Sequence, residues 1–242
     1  MARAQEGPRA RYREQTRAEI KDTALRQLAE SGAGALALTR IAKEMGLSGP
    51  ALYRYFASRD DLLSALIRDA YDDAASAVAH AAAEAEAGEL GPRARLHALA
   101  GAYRAWAVAE PHRYLLIQGA PVPGYIAPDD TRDRARAVLG PFLPLFADGS
   151  PGTSHSALVA EMTAWLAADA AGVASWVAGY APDAAGDQRR AAYGLAGAVL
   201  VWAQLHGSVG LEAAGQFAGM GHTGDTLLTT QLDQLADAFA LT

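Results

Sequence analysis

Three consecutive polar side chains, Tyr53, Arg54 and Tyr55, follow a run of four small residues in this sequence. An arginine guanidinium can form a bidentate pair with the edge of a guanine, or it can bind a phosphate. A tyrosine hydroxyl holds a phosphate well but reads little sequence, because one hydrogen bond distinguishes few bases. Side chains of these types at this spacing predict contacts with nucleic acid.

Four small residues, Ser48, Gly49, Pro50 and Ala51, precede them and are separated from them by Leu52. Small side chains at the tip of a helix let the backbone approach the base edges of a DNA groove, which the helix enters by its N-terminal residues. The proline ring and the alanine methyl can pack against a thymine methyl. We therefore expect shape and methyl contacts from this tip, and at most one strong base contact, from Arg54.

These residues belong to the segment TRIAKEMGLSGPALYRYF at positions 39–56, whose pattern predicts two short helices joined by a tight turn. Thr39 has the residue type of an N-cap, and Ser48 can cap the second helix. Gly46 can adopt the left-handed conformation that ends the first helix. A helix, a glycine-containing turn and a helix with a polar outer edge together predict a helix-turn-helix motif.

The motif and its flanks resemble the TetR family of bacterial transcriptional repressors. The matching segments are IKDTALRQLAES at 20–31, LTRIAKEMGLS at 38–48, LYRYF at 52–56 and SRDDLL at 58–63. The resemblance implies that four side chains hold phosphates: Thr39, Tyr53, Tyr55 and Arg59. The last position is commonly lysine in the family. Capping by Thr39 and Ser48 is compatible with DNA contacts, whereas Tyr55 alternatively packs at the edge of the core.

The periodicity predicts an all-α chain, because no segment shows the sustained alternation of a β-strand. We expect a flexible basic arm at residues 1–13 and a three-helix DNA-binding domain of the helix-turn-helix type at 14–74. By resemblance, residues 75–242 form a helical ligand-binding and dimerisation domain. The arm can reach into a minor groove or remain a disordered tail. Its cationic residues are Arg3, Arg9, Arg11 and Arg13.

Charge is divided unevenly along the 242 residues, whose net charge is −6. Residues 1–58 carry ten Lys or Arg and six Asp or Glu, whereas residues 59–242 carry eleven and twenty-one. A basic N-terminal part (the head) followed by an acidic remainder (the body) is expected when only the N-terminal part contacts DNA phosphates. The absence of cysteine from the sequence excludes disulfides, thiol catalysis and Cys-ligated zinc. No apolar run reaches the roughly 18 residues of a membrane span.

Two Ala- and Gly-rich segments, at residues 154–177 and 188–207, are predicted to form long helices. Small residues allow helices to approach closely, and by resemblance such helices pair into a four-helix bundle between two subunits. A two-fold homodimer would also match a palindromic operator. The alternative use of these small residues is ordinary packing inside one subunit.

The resemblance further implies a small-molecule effector in the acidic body. Aromatic and apolar side chains of the body are the pocket candidates, although such residues are typical of any helical core: Tyr103, Trp106, Leu116, Met162, Trp165 and Trp176. The segment WAQLHG at 202–207 resembles the W…HG (WHG) signature of one TetR subgroup, as does the loop around PVPGY. In that segment His206 either closes a hydrogen bond in the core or lines the pocket.

The leading hypothesis is a ligand-responsive transcriptional regulator, a repressor that binds double-stranded operator DNA as a cytoplasmic homodimer and is released by a small-molecule effector. The alternative is a helical ligand- or partner-binding module without operator binding. An enzyme is disfavoured because the sequence lacks a Gly-rich phosphate loop, a G-x-S-x-G elbow and an H-E-x-x-H pair. The histidines have no metal-ligand spacing, so we expect no metal, no cofactor and no membrane partner.

Overall fold

A computed structural model describes residues 7–118 and 124–242. Within these ranges the chain forms α-helices joined by short 3-10 turns and loops, which confirms the all-α prediction. In chain order the helices are α1 (Pro8–Ser31), α2 (Leu38–Glu44), α3 (Gly49–Tyr53), α4 (Arg59–Ala87), α5 (Pro92–Ala109), α6 (Pro111–Gln118), α7 (Asp130–Leu139), α8 (Leu143–Ala147), α9 (Ser156–Ala168), α10 (Ser175–Tyr180), α11 (Gln188–Ala213) and α12 (Gly224–Ala238). Arg3 and most of the PVPGY loop lie outside the described residues.

The first helix begins at Pro8, within the segment 1–13 that was predicted to be an arm. Proline is favoured at the first helical position, because its missing N–H would have no intrahelical partner there. Arg9, Arg11 and Arg13 therefore lie on the exposed first turns of α1. Residues 8–13 of the predicted arm are thus helical in this structure.

The long helix α4 joins the two parts of the molecule. Its cap is reciprocal: Ser58 Oγ accepts a hydrogen bond from Asp61 N at 3.0 Å, and Asp61 Oδ2 accepts one from Ala57 N at 3.0 Å. The 29 residues of α4 span roughly 43 Å. Ile67 belongs to the hydrophobic core of the N-terminal part and Ala74 to that of the body. One continuous helix thus contributes to both cores.

The body packs around α11, which lies against α8, α9, α12 and α5. Glycines in α11 allow the closest of these approaches. A Cβ at Gly197 would overlap the ring of Phe146, and one at Gly194 would lie 2.9 Å from the carbonyl oxygen of Leu143. These small residues serve packing within the subunit, which was the alternative use considered for them.

The predicted helix at residues 154–177 is wrong, because the chain breaks into α9, a π-turn at Ala170–Ala174 and α10. The two helical pieces, Thr153–Ala168 and Ala171–Tyr180, are bent by 101°. Asp169 causes the break, since its Oδ1 accepts a hydrogen bond from Gly172 N at 2.9 Å and caps the new segment.

Helix α11 contains an 18-residue window with a mean hydropathy of 1.3, which is apolar and long enough to cross a membrane. The helix contains no uninterrupted apolar run of that length, because Gln204 ends the run at residues 191–203. Half of that window is buried inside the protein. The central helix of a folded body meets the same criterion, so the window is weak evidence for a membrane span.

Candidate nucleic-acid interface

The turn between α2 and α3 has the predicted geometry. Gly46 adopts a φ of +66°, the left-handed conformation that an L side chain rarely takes. The amide of Leu47 then donates to the carbonyl of Ala42 at 2.8 Å, which satisfies an acceptor at the end of α2. The turn therefore fixes the angle at which α3 leaves α2.

The N-terminal tip of α3 has a side-chain cap and is accessible to solvent. Ser48 Oγ accepts a hydrogen bond from Ala51 N at 3.3 Å, and Pro50 occupies the first turn, as predicted. Ser48 and Pro50 are exposed, while Gly49 and Ala51 are half-buried. Because these side chains are small, the backbone of the tip can approach a flat surface such as the edge of a base pair.

Thr39 does not cap α2, contrary to the prediction. The helix begins two residues earlier than that cap would require, and Ala37 occupies the N-cap position without a side-chain cap. Thr39 lies exposed in the first turn of α2, so its hydroxyl is accessible to a phosphate. Leu38 is buried in the core, which explains why the helix includes it.

The two sides of α3 and its C-terminal end differ sharply in exposure. Leu52 and Phe56 are buried in the N-terminal core. Tyr53 is 51% exposed, Arg54 is exposed at the C-cap position, and Tyr55 is half-buried. The predicted polar outer edge therefore exists for Tyr53 and Arg54, whereas Tyr55 lies at the margin of the core.

Arg17 of α1 holds the end of this edge in place. Its Nη1 donates to the carbonyl of Tyr55 at 2.7 Å, and its guanidinium lies 4.1 Å from the centroid of the Phe56 ring. The sequence analysis missed this residue. No local signal could have revealed it, because 38 residues separate the two bonded positions.

Arg59, the predicted phosphate ligand at the start of α4, is half-buried. Its Nε donates to the carbonyl of Leu36 at 3.2 Å, and its Nη1 lies 3.3 Å from Asp60 Oδ1. These contacts connect the start of α4 to the segment before α2. Arg59 is thus placed beside the helix-turn-helix and is already oriented by the fold.

Comparison with known proteins identifies both halves of the chain. Residues 20–66 match the model of the bacterial regulatory proteins of the tetR family, and residues 96–235 match a tetracyclin repressor-like C-terminal domain. The chain belongs to the TetR family. This membership places it among bacterial transcriptional regulators rather than enzymes, as predicted.

Individual TetR-family relatives support the same assignment. The HTH-type transcriptional regulator Rv1816 of Mycobacterium tuberculosis is 42% identical over 144 residues, which is 59% of this chain and 61% of that protein. The alignment thus spans about three fifths of that relative. The crystal structure of the putative regulatory protein SCO4313 is 42% identical, with a TM-score of 0.75, and the match covers 96% of this chain and 100% of that one. A protein of unknown function from Rhodococcus sp. RHA1, 24% identical with a TM-score of 0.63 over 93% of this chain and 95% of that one, shares the fold.

Three of the candidate pocket residues of this TetR-family chain lie in one aromatic cluster. Tyr103 contacts Trp106 at a ring-centroid distance of 5.7 Å and Trp202 at 6.2 Å. Trp202 in turn contacts His206 at 3.9 Å. Tyr114, which the sequence analysis did not single out, completes the cluster against Tyr103 and Trp106.

Polar groups of the cluster are shielded from solvent. Burial raises the pKa of Tyr103, and it raises the pKa of Tyr114 to about 12. Burial also lowers the pKa of His206, although its Nδ1 lies 2.9 Å from the carbonyl of Trp202. The ring contacts fill the space between these side chains, so in this structure the cluster is packed core.

The other candidates are dispersed. Leu116 packs against the N-terminal core, Met162 against the core of the body, and Trp165 is 37% exposed on α9. Trp176 lines an open groove between α7 and α10, where its Nε1 donates to the carbonyl of Arg136 at 3.0 Å. Across residues 7–118 and 124–242, no group of three His, Asp or Glu side chains could hold a metal ion.

Proposed function

We propose that this chain is a ligand-responsive repressor of transcription that binds a palindromic operator as a cytoplasmic homodimer and is released by a small-molecule effector. The observation that carries the proposal is the exposed tip of α3, with Ser48 and Pro50 open to solvent and Tyr53 and Arg54 beside them. A helix tip of this kind suits the major groove, because its small residues allow close approach while flanking polar groups bind the backbone.

An exposed apolar helix supports the homodimer. Leu166, which is 9% exposed, is the buried side chain of α9, yet the helix is composed largely of apolar residues. Its exposed apolar side chains are Ala157, Ala160, Ala164, Trp165, Ala167 and Ala168. Exposed apolar surface marks interaction sites, and Glu161 is the exposed charged residue among these side chains of α9. Because α9 packs beside α11, a second copy could seat its own α9 and α11 there with two-fold symmetry.

The course of α4 supports coupling between a ligand bound in the body and the helix-turn-helix domain, called here the reading head. One helix carries Arg59 at its start and packs in the core of the body at its end, so a shift of the body would move the head. We place the boundary of the domains inside α4, at residues 74 and 75, close to where the helix passes from the N-terminal core, which includes Ile67, to the core of the body, which includes Ala74. The segment Trp202 to Gly207 further suggests the WHG subgroup.

Operator binding is tested by selecting bound sequences from random double-stranded DNA. The wild type is expected to enrich a palindromic sequence, and Ala51→Glu is expected to enrich none, because a carboxylate at the tip would face the bases. Ala87→Glu, at the far end of α4, is the matched control and should enrich the same sequence. If the wild type enriches no sequence, the chain is instead a helical ligand- or partner-binding module.

The homodimer is tested by sedimentation equilibrium. Ala160→Glu would place a charge in the exposed apolar face of α9 and is expected to give monomers. Ala29→Glu, an exposed alanine of α1, is the control and should leave a dimer. A monomeric wild type, or a dimer that Ala160→Glu leaves intact, would contradict this interface.

A further inference from the structure

A groove with a volume of about 300 Å³ lies between the end of α4, α5, α8 and α10. Its walls are largely apolar, with three alanines from α4, Leu99 from α5 and the segment 141–145. The ring of Tyr180 closes one edge and rests on the backbone of Gly140, where a Cβ would overlap it. The volume is at the lower end of the range found for small-molecule sites.

One cationic side chain lines this groove without a partner. Arg95 is half-buried, and its Nε is fully buried with no hydrogen-bond acceptor among the described residues. No carboxylate of the described residues lies within 4.0 Å of its guanidinium, although Glu86 lines the same groove. Seven other half-buried arginines, one on α4 and six in the body, each have a carboxylate partner: Arg68, Arg93, Arg104, Arg113, Arg134, Arg136 and Arg190.

An unpaired buried donor is costly, because it has lost its hydrogen bonds to water and gained none. An oxyanion in the groove would supply the missing acceptor, and a guanidinium binds a carboxylate through two parallel hydrogen bonds. Glu86 repels any anion in this groove, and because the repulsion increases with the charge of the ligand, a monoanion is favoured over a dianion. The alanines, Leu99 and the prolines would remove an adjoining hydrocarbon chain from water.

We propose that this groove binds an amphipathic monocarboxylate, with its head group on Arg95 and its apolar tail along the alanines of α4 and Leu99. This proposal specifies the chemical class of the effector, and it therefore rests on the proposed function of a ligand-responsive regulator. Its place in the fold suits that role, since its wall is the last turns of the helix that begins with Arg59 beside the reading head. A ligand that separates the ends of α4 and α5 would favour one orientation of the head over another.

The test measures binding without DNA, by titration calorimetry of the full chain with octanoate and with its uncharged analogue octanol. The wild type is expected to bind octanoate at least about tenfold more tightly than octanol, because a hydrogen bond to a charged group contributes about 1.5–3 kcal/mol. Arg95→Gln should lose that preference, while Arg95→Lys should retain part of it. Arg132→Gln, an exposed arginine of α7, is the control and should bind as the wild type does.

A second pair of variants tests the apolar part of the groove. Ala82→Leu fills it and should weaken both ligands, whereas Ala81→Leu, which does not line the groove, should weaken neither. This pair still tests the site if Arg95→Gln fails to fold, as judged by thermal unfolding. The proposal is overturned if octanoate does not bind the wild type, if octanol binds equally well, or if both Arg95→Gln and Ala82→Leu bind octanoate as the wild type does.

The proposal of operator binding and the proposal of a carboxylate site can be contradicted independently of each other. If octanoate binds at Arg95 but no DNA sequence is enriched, operator binding is wrong and the carboxylate site stands. If a palindrome is enriched but octanoate does not bind, the site is wrong and the regulator stands.

Discussion

The guanidinium of Arg68 donates two hydrogen bonds to the carboxylate of Asp130, from Nε at 2.8 Å and from Nη2 at 3.2 Å. This pair joins the middle of α4 to the first residue of α7. Arg134 pairs with Asp72 nearby, and Arg113 of α6 with Asp73, so ion pairs surround α4 where it leaves the N-terminal core. The position of α4 in the body is therefore set by charge as well as by packing.

The Arg68–Asp130 pair predicts a pH-dependent contribution to stability. The hydrogen bonds from Arg68 hold the pKa of Asp130 below its usual value of 3.8. A lowered pKa gives stability that is present above that value and is lost as the pH falls through the lowered pKa. Asp130→Asn should thus reduce the free energy of unfolding at neutral pH, and the difference from wild type should shrink in acid.

Urea unfolding over a pH series measures this difference. Asp129→Asn is the matched control, since Asp129 is exposed and has no ion pair among the described residues. A constant difference at every pH would show that the Arg68–Asp130 pair does not titrate in this way.

Arg54→Ala is expected to change the relative affinities of operator variants. A guanidinium that forms a bidentate pair with a guanine discriminates against other bases by roughly 1–3 kcal/mol. Competition binding across single-base variants of a selected operator measures the effect, with Arg132→Ala as a control far from the tip. An equal loss for every variant would instead assign Arg54 to a phosphate.

Tyr55→Phe is expected to weaken binding to every DNA sequence about equally, because a hydroxyl on a phosphate carries no base information. The half-buried ring is retained, so the fold should be unchanged. Filter binding to several sequences measures the loss, and Tyr12→Phe, on the exposed face of α1, is the control. Unchanged affinity for all sequences would leave Tyr55 only its role at the margin of the core.

Gly197→Ala is expected to destabilise the body by about 1–3 kcal/mol, the usual cost of overpacking, because the added methyl would overlap the ring of Phe146. Gly101→Ala is the control, since nothing lies within 4 Å of a Cβ at that position in α5. In a helix that change should stabilise by up to about 1 kcal/mol. Urea unfolding compares the two variants, and equal effects would contradict the close contact between α8 and α11.

Much of the reading head could be predicted from local signals. Gly46, Ser48 and Ser58 act through hydrogen bonds and dihedral angles within a few residues, so their residue types alone indicate where helices end and begin. The start of α2 could not be predicted as well. Thr39 has the better capping side chain, but burial of Leu38 outweighs it, and the N-cap lies two residues earlier, at Ala37.

The sequence by itself determined the helical class, the helix-turn-helix and the exposed small tip of α3, because each depends on neighbours in the chain. Only the tertiary structure decided where Arg17, Asp130 and Arg95 lie, since their partners, or the lack of them, depend on helices far apart in sequence. The break at Asp169 was likewise invisible, because α9 and α10 carry a helical composition on both sides of it. Local chemistry thus predicts the surface that we propose for DNA binding, whereas long-range packing creates the groove beside Arg95.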